Sequence, residues 1–220
     1  MTASDPEPPP VPRKRGIPGW GIALIVVGVL GLFVLVALIT TVAVVVPKMQ
    51  DSQRRLACLN NLSQLGQIYL MDFERNRGRA QARSGAALWL GYRAGGDEIR
   101  RGDEKVLLCP GDALIEPPPT TDAARSAWDH VDLDHAPRKL CSYAGRDFAR
   151  FPLAPKAGGK EPIGACLNHK GGAVVLFQTG DAEFVPLATL GLASDDEKTV
   201  GPDSKSPMLR VLRYGDGSVK

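Results

Sequence analysis

The sequence predicts an α+β fold, a small antiparallel sheet carried behind a long N-terminal helix whose first half crosses a membrane. Three observations predict it. An uncharged run lies between Arg15 and Lys48. Apolar residues then recur at steps of three and four from Leu56 to Phe73. Near the end, Gly172–Phe177 and Ala182–Pro186 read as two strands around a turn. The implied organisation is a disordered tail (1–15), a membrane helix (16–47), a soluble continuation of that helix (48–78) and an α+β head (79–220).

The run beginning GIPGWGIALIVV holds no Asp, Glu, Lys, Arg or His over about thirty residues. A helix needs only ~20 apolar residues to cross a bilayer core, and it pairs its own backbone amides in lipid. A cleaved signal peptide would have an apolar stretch of ~7–15 residues and a small-residue cleavage site. Here the run is longer and leads into Pro47 and charged residues. Arg13, Lys14 and Arg15 directly before it place the N-terminus in the cytoplasm and the head outside. Lys48, Arg54 and Arg55 oppose that bias, but a long domain can be translocated whatever its charge.

About 170 residues follow, enough for one domain. The net charge of +3 and pI near 8.7 are spread among acids, which gives no nucleic-acid signature. The four cysteines (Cys58, Cys109, Cys141 and Cys166) include no C-x-x-C pair, so zinc and thioredoxin-like readings find little support. Outside the cytoplasm two disulfides are permitted in any of three connectivities. Cys109 with Cys141 is one local staple, and four free buried thiols are the alternative.

The proline-rich start (DPEPPPVP) can neither form a helix nor bury a core. Beyond Pro47, which can kink a helix, Leu56, Leu59, Leu62, Leu65, Ile68, Tyr69 and Phe73 form an apolar stripe. The ERNRGRA segment with Gly78 ends that helix. AALWLGYRAGGDEI reads as a short helix or strand interrupted by Gly91, Gly95 and Gly96, and KVLLC (105–109) as a buried strand ended by Pro110. IEPPPTTDAA and PLAPKAGGKEPIG read as loops, and SYAG as a strand or turn. Gly172–Phe177, a turn at 178–181 and Ala182–Pro186 form a hairpin. A second hairpin is expected from Met208–Tyr214, a turn at 215–217 and the last three residues.

Three stretches resemble the prepilin-type proteins with a processing-associated H-x9-DG domain, a group similar to type II secretion pseudopilins. The first is CLNNLSQLGQ, containing Cys58, Asn60, Asn61 and Gly66. The second is VLLCPGD, with Cys109 and Pro110, followed by SYAG. The third is NHKGGAVVLF with His169, then the turn at Gly180. Together they span the membrane helix to about Leu187. The resemblance implies a pseudopilin-like periplasmic head, an inner-membrane location and a structural or accessory role in a type II secretion or type IV pilus-like apparatus. It implies membrane lipid and other pilin-like or secretion subunits as partners, and no nucleic acid. Arg13-Lys14-Arg15-Gly16 imitates a prepilin leader, with Gly16 and Ile17 as the processing site. Two features depart from the family. Gly21 stands where it has a glutamate, and Thr179 where it has an acidic residue before the turn glycine. An unprocessed membrane-anchored binding module is the second reading.

No catalytic signature is present: no G-x-S-x-G, H-E-x-x-H or phosphate loop. His169 has Asp129, Asp147 and Asp181 as conceivable partners and Ser142 or Cys166 as nucleophiles. Nothing in the spacing joins them, so it reads as a residue that fixes its loop. The run DHVDLDH offers Asp129, Asp132 and Asp134 as metal candidates beside His130 and His135. It lacks the EF-hand glycine and spacing and reads first as a solvated acidic loop. Calcium is the ion its oxygens suit and zinc the one a mixed His/Asp set would suit, and the resemblance favours calcium, which pseudopilins bind near their C-terminal sheet. No other cofactor is expected.

Overall fold

The computed structural model describes residues 19–77, 83–94, 98–100, 102–112, 128, 130–133, 140–153 and 160–215. The chain divides into two compact units, 1–48 and 49–220. Helix α1 runs from Gly19 to Arg75, with Pro47 inside it rather than at its end.

In the first unit the helix is long and apolar enough to cross a membrane. Its described large side chains, among them Leu30, Phe33, Leu35 and Ile39, are exposed. An apolar surface of this kind needs lipid or another protein to cover it. The hydroxyls on this stretch are satisfied within the helix. Thr40 Oγ1 donates to the Val36 and Ala37 carbonyls at 2.9 Å each, and Thr41 Oγ1 donates to Ala37 O at 2.8 Å. Polar groups paired this way are tolerated where no water reaches.

In the second unit α1 supplies a buried face. Cys58, Leu62, Leu65 and Tyr69 follow one another at steps of four, three and four and are all at most 1% exposed. Leu59, Ile68 and Phe73 pack partly against the same core. Leu56 does not join them: at 64% exposure it lies off the stripe, and Cys58 occupies the place one turn before Leu62. Each fully buried leucine contributes roughly 1.5–3 kcal/mol before entropy is counted. The helix ends at Arg75, followed by a turn in which Arg77 adopts φ +56°.

Helix α2 (Ala86–Ala94) covers the sheet with Leu88, Trp89 and Leu90. Trp89 Nε1 donates to Ala144 O at 3.2 Å, so its polar edge is not stranded. The sheet has five described strands: β1 (Ala144–Arg146), β2 (Pro162–His169), β3 (Gly172–Phe177), β4 (Ala182–Pro186) and β5 (Leu212–Arg213). Their order is β4-β3-β2-β1-β5, and every pairing is antiparallel. Both faces are covered. Cys166, Val174 and Leu176 meet α1 and α2. Ala165, Val175 and Phe177 meet Leu190, Leu192, Leu209 and Tyr214 from the C-terminal segment. Burial on both faces leaves β3 without a polar alternation.

The β3–β4 hairpin falls where the sequence places it. Three other segments differ from the sequence reading. In KVLLC the residues from Val106 to Cys109 are buried but form no strand: Glu104–Leu107 is a 3₁₀ turn, with extended backbone at Leu108 after it. The C-terminal part of PLAPKAGGKEPIG is the start of β2, with Pro162 at the first strand position where its missing N–H costs least. The first limb of the expected second hairpin, Met208–Tyr214, is not one continuous strand, and its return limb lies outside the described residues. Pro207–Arg210 is a helical turn with proline at its start, and β5 pairs with β1.

Candidate functional site

The motif residues of α1, of the 106–112 segment and of β2 meet on one face of the sheet. Asn61 Nδ2 donates to Lys105 O at 3.1 Å and to Leu108 O at 3.0 Å. Ser142 Oγ accepts from the Cys109 N–H at 2.8 Å, and Tyr143 Oη donates to Leu108 O at 3.0 Å. These bonds hold Cys109 against α1 and explain why an irregular segment there is fixed.

A break in strand register brings in the last two members. β2 pairs Cys166 with Val174 and His169 with Gly172, so three steps on β2 face two on β3. Residues three apart on a regular strand point to opposite faces. The extra residue is a β-bulge, and it lets Cys166 and His169 serve the same side. The two form a C-x2-H pair. A sulfur and an imidazole at that spacing are a sequence signal of their own, distinct from C-x-x-C.

Cys58, Cys109, Cys166 and His169 are all buried, and one ligand atom from each lies within 4.8 Å of every other. His169 Nε2 is 3.5 Å from Cys109 Sγ, and the Gly111 N–H donates to the same sulfur at 3.3 Å. The thiols are electrostatically unequal. Hydrogen bonds from Cys166 and Cys58, then from His169 and Gly111, hold the Cys109 thiol far below its ordinary range. Cys58 is pushed up by its hydrogen bonds to Cys109 and Cys166 and by burial. Cys166 is pushed up first by burial. His169 Nδ1 is buried without a partner among the described residues.

Cys141 stands apart from the group. Its Sγ donates to Tyr143 O at 3.6 Å, and burial pushes its thiol up to about 12. The Cys109–Cys141 staple is not formed; all four cysteines are free.

Ser142 is occupied by the Cys109 N–H and lies outside the Cys/His group. Of the acidic candidates, Asp132 is exposed, while Asp129, Asp134 and the processing residues Gly16 and Ile17 lie outside the described residues. Asn60 and Pro110 are exposed. Gly66 and Gly180 are buried where α1 meets the β3–β4 turn.

A separate cleft of about 470 Å³ opens behind the β2–β3 turn, lined in part by Asn168, Lys170, Asp195 and Lys198. Its buried lysine is engaged. Lys198 Nζ donates to His169 O at 2.6 Å and pairs with Asp195 at 2.8 Å. The cleft therefore holds no uncommitted buried cation.

No family model, curated protein or solved structure matches the chain.

Proposed function

We propose that the chain is a non-catalytic, pseudopilin-like structural or accessory component of a type II secretion or type IV pilus-like apparatus. In this reading it is anchored once in the inner membrane, with its N-terminus in the cytoplasm and its α+β head outside. The observation that supports this best is the uncharged apolar helix that leads, within the same element, into Cys58, Asn60 and Asn61. The exposed apolar side chains of the first unit supply an assembly surface for lipid or for helices of other subunits. The head's contribution would be packing and partner contact, not chemistry.

The second reading is an unprocessed, membrane-anchored binding module. It rests on Gly21, which stands in place of the glutamate that the resembled family carries after its leader. An intramembrane carboxylate is costly and is kept where it functions. A chain without one lacks the group thought to pair with a neighbour's terminal amine.

Intact mass and N-terminal sequencing of the membrane-extracted protein separate the two. A start at Ile17, particularly a methylated one, supports assembly. Retention of residues 1–15 together with a monomeric chain overturns the first reading and leaves the anchored module.

A further inference from the structure

We propose that Cys58, Cys109, Cys166 and His169 form a closed, structural Zn²⁺ site that ties α1 to the sheet. This goes beyond the assembly reading and does not depend on whether the chain is cleaved at Gly16.

The donor set is the first argument. Three sulfurs and one imidazole are soft-to-borderline ligands, the combination that suits zinc rather than calcium or magnesium. The four come from three distant places in the chain: α1, the segment after the 3₁₀ turn, and β2. Their convergence is thus not a by-product of local spacing.

Geometry is the second. Tetrahedral zinc with Zn–S near 2.3 Å and Zn–N of 2.0–2.1 Å separates sulfur from nitrogen by about 3.6 Å and sulfur from sulfur by about 3.8 Å. The Cys109 Sγ to His169 Nε2 distance is 3.5 Å. The remaining ligand atoms lie within 4.8 Å, so they need to close by at most about an ångström around an ion of that size. A disulfide would instead require two sulfurs to come to about 2.05 Å, leaving the third thiol and the imidazole buried without purpose.

Burial is the third. None of the four residues is more than 3% exposed. Four protein ligands with no open position characterise a structural zinc site rather than a catalytic one. The β2 bulge is the local device that turns both Cys166 and His169 toward the ion. Ligation through Nε2 places the ring proton on Nδ1. Coordination releases the thiol protons to solvent and consumes no oxidant or reductant. It leaves one more thiolate than the ion's charge balances, and the Gly111 N–H to Cys109 Sγ partly offsets that excess.

The test uses the full-length chain extracted in detergent. Metal analysis after exhaustive dialysis should find one zinc per chain, with Cys141→Ser unchanged and Cys109→Ser or His169→Ala reduced at least tenfold. Because those ligand variants could fail to fold, a second measurement uses the wild-type chain alone. After chelation under reducing conditions, added Co²⁺ should give the visible absorption of a tetrahedral ion and a thiolate charge-transfer band, both abolished by Zn²⁺. Wild-type protein that retains no zinc and gives no tetrahedral Co²⁺ spectrum overturns the proposal. So does non-reducing peptide mapping that finds two of Cys58, Cys109 and Cys166 joined as a disulfide.

Discussion

The carbonyl oxygen of Gly180, in the β3–β4 turn, would lie 2.6 Å from a β-carbon placed on Gly66 of α1. Helix and turn therefore approach backbone to backbone, beside the Leu176 side chain, whose Cδ1 would lie 2.7 Å from the same β-carbon. The turn side is crowded too: a β-carbon on Gly180, whose φ is +85°, would meet Leu70 Cδ1 at 2.6 Å and the Gly66 carbonyl carbon at 3.6 Å.

Gly66→Ala is accordingly expected to destabilise the head, although alanine in a helix interior is normally better than glycine by about 1 kcal/mol. The clash is with backbone that cannot rotate away, and overpacking of this kind costs about 1–3 kcal/mol. Thermal unfolding of the full chain in detergent should show a midpoint several degrees lower. An unchanged or higher midpoint would show that helix and turn can separate freely.

Asn61 bridges two carbonyls that also have other partners, the Leu108 N–H for Lys105 O and the Tyr143 hydroxyl for Leu108 O. Asn61→Ala should therefore cost only about 1 kcal/mol, the net worth of ordinary hydrogen bonds. Its larger effect should be local, as faster amide exchange at Cys109. Equal exchange in both proteins would mean that Ser142 and Tyr143 suffice to hold the segment.

Arg93 and Glu104 form an ion pair at 3.0 Å whose side chains are each only 6% exposed. Removing one member of a buried pair costs about 3–5 kcal/mol, because the other charge remains in a poor solvent. Glu104→Ala should approach that loss in denaturant unfolding, while Glu104→Gln, which keeps an acceptor, should lose less. Equal losses would place the importance of Glu104 in its packing rather than its charge.

Two buried acids predict weakness in alkali. Burial pushes both the Cys141 thiol and the Tyr69 hydroxyl up to about 12, from ordinary values of 9.0 and 10.0. Their neutral forms favour the folded state, so this contribution is complete below pH 9. It declines as pH rises toward 12, at up to about 1.4 kcal/mol per pH unit for each group. Unfolding followed between pH 8 and 11 should show that decline, and Cys141→Ala should make it shallower above pH 9; an unchanged slope would show that the Cys141 thiol does not contribute.

Much of the architecture was legible because it rests on local pattern. The uncharged run and the 3–4 stripe dictate α1, and β-branched residues around Thr179-Gly180 dictate the β3–β4 hairpin. β2 was harder to see. PIGACLNH opens on proline, contains glycine, and its bulges break the two-residue alternation by which strands are read. β5 is two residues long and finds its partner in β1, far back in the chain, so nothing near it announces a strand. KVLLC shows the limit of composition, since a short apolar run is buried equally well as a strand or as a 3₁₀ turn. The Cys/His group follows the same logic. Its C-x2-H pair is local, but Cys58 and Cys109 reach it only through α1 packing and the Asn61 and Ser142 bonds.

The bulge in β2 also gives the strand one residue of slack. Leu167 and Asn168 separate Cys166 from His169. Exchanging either for another side chain leaves the strand's arithmetic intact. Deleting one would restore an even pleat, with Cys166 and the imidazole two positions apart and one fewer residue looped out over β3. The Cys166–Val174 and His169–Gly172 pairings would keep their partners, and both side chains would still leave the same face, so what is lost is the bend that the extra residue supplies. Here the strand can give up one residue without changing its register, whereas the same deletion elsewhere in β2 would carry the residues on one side of it to the opposite face.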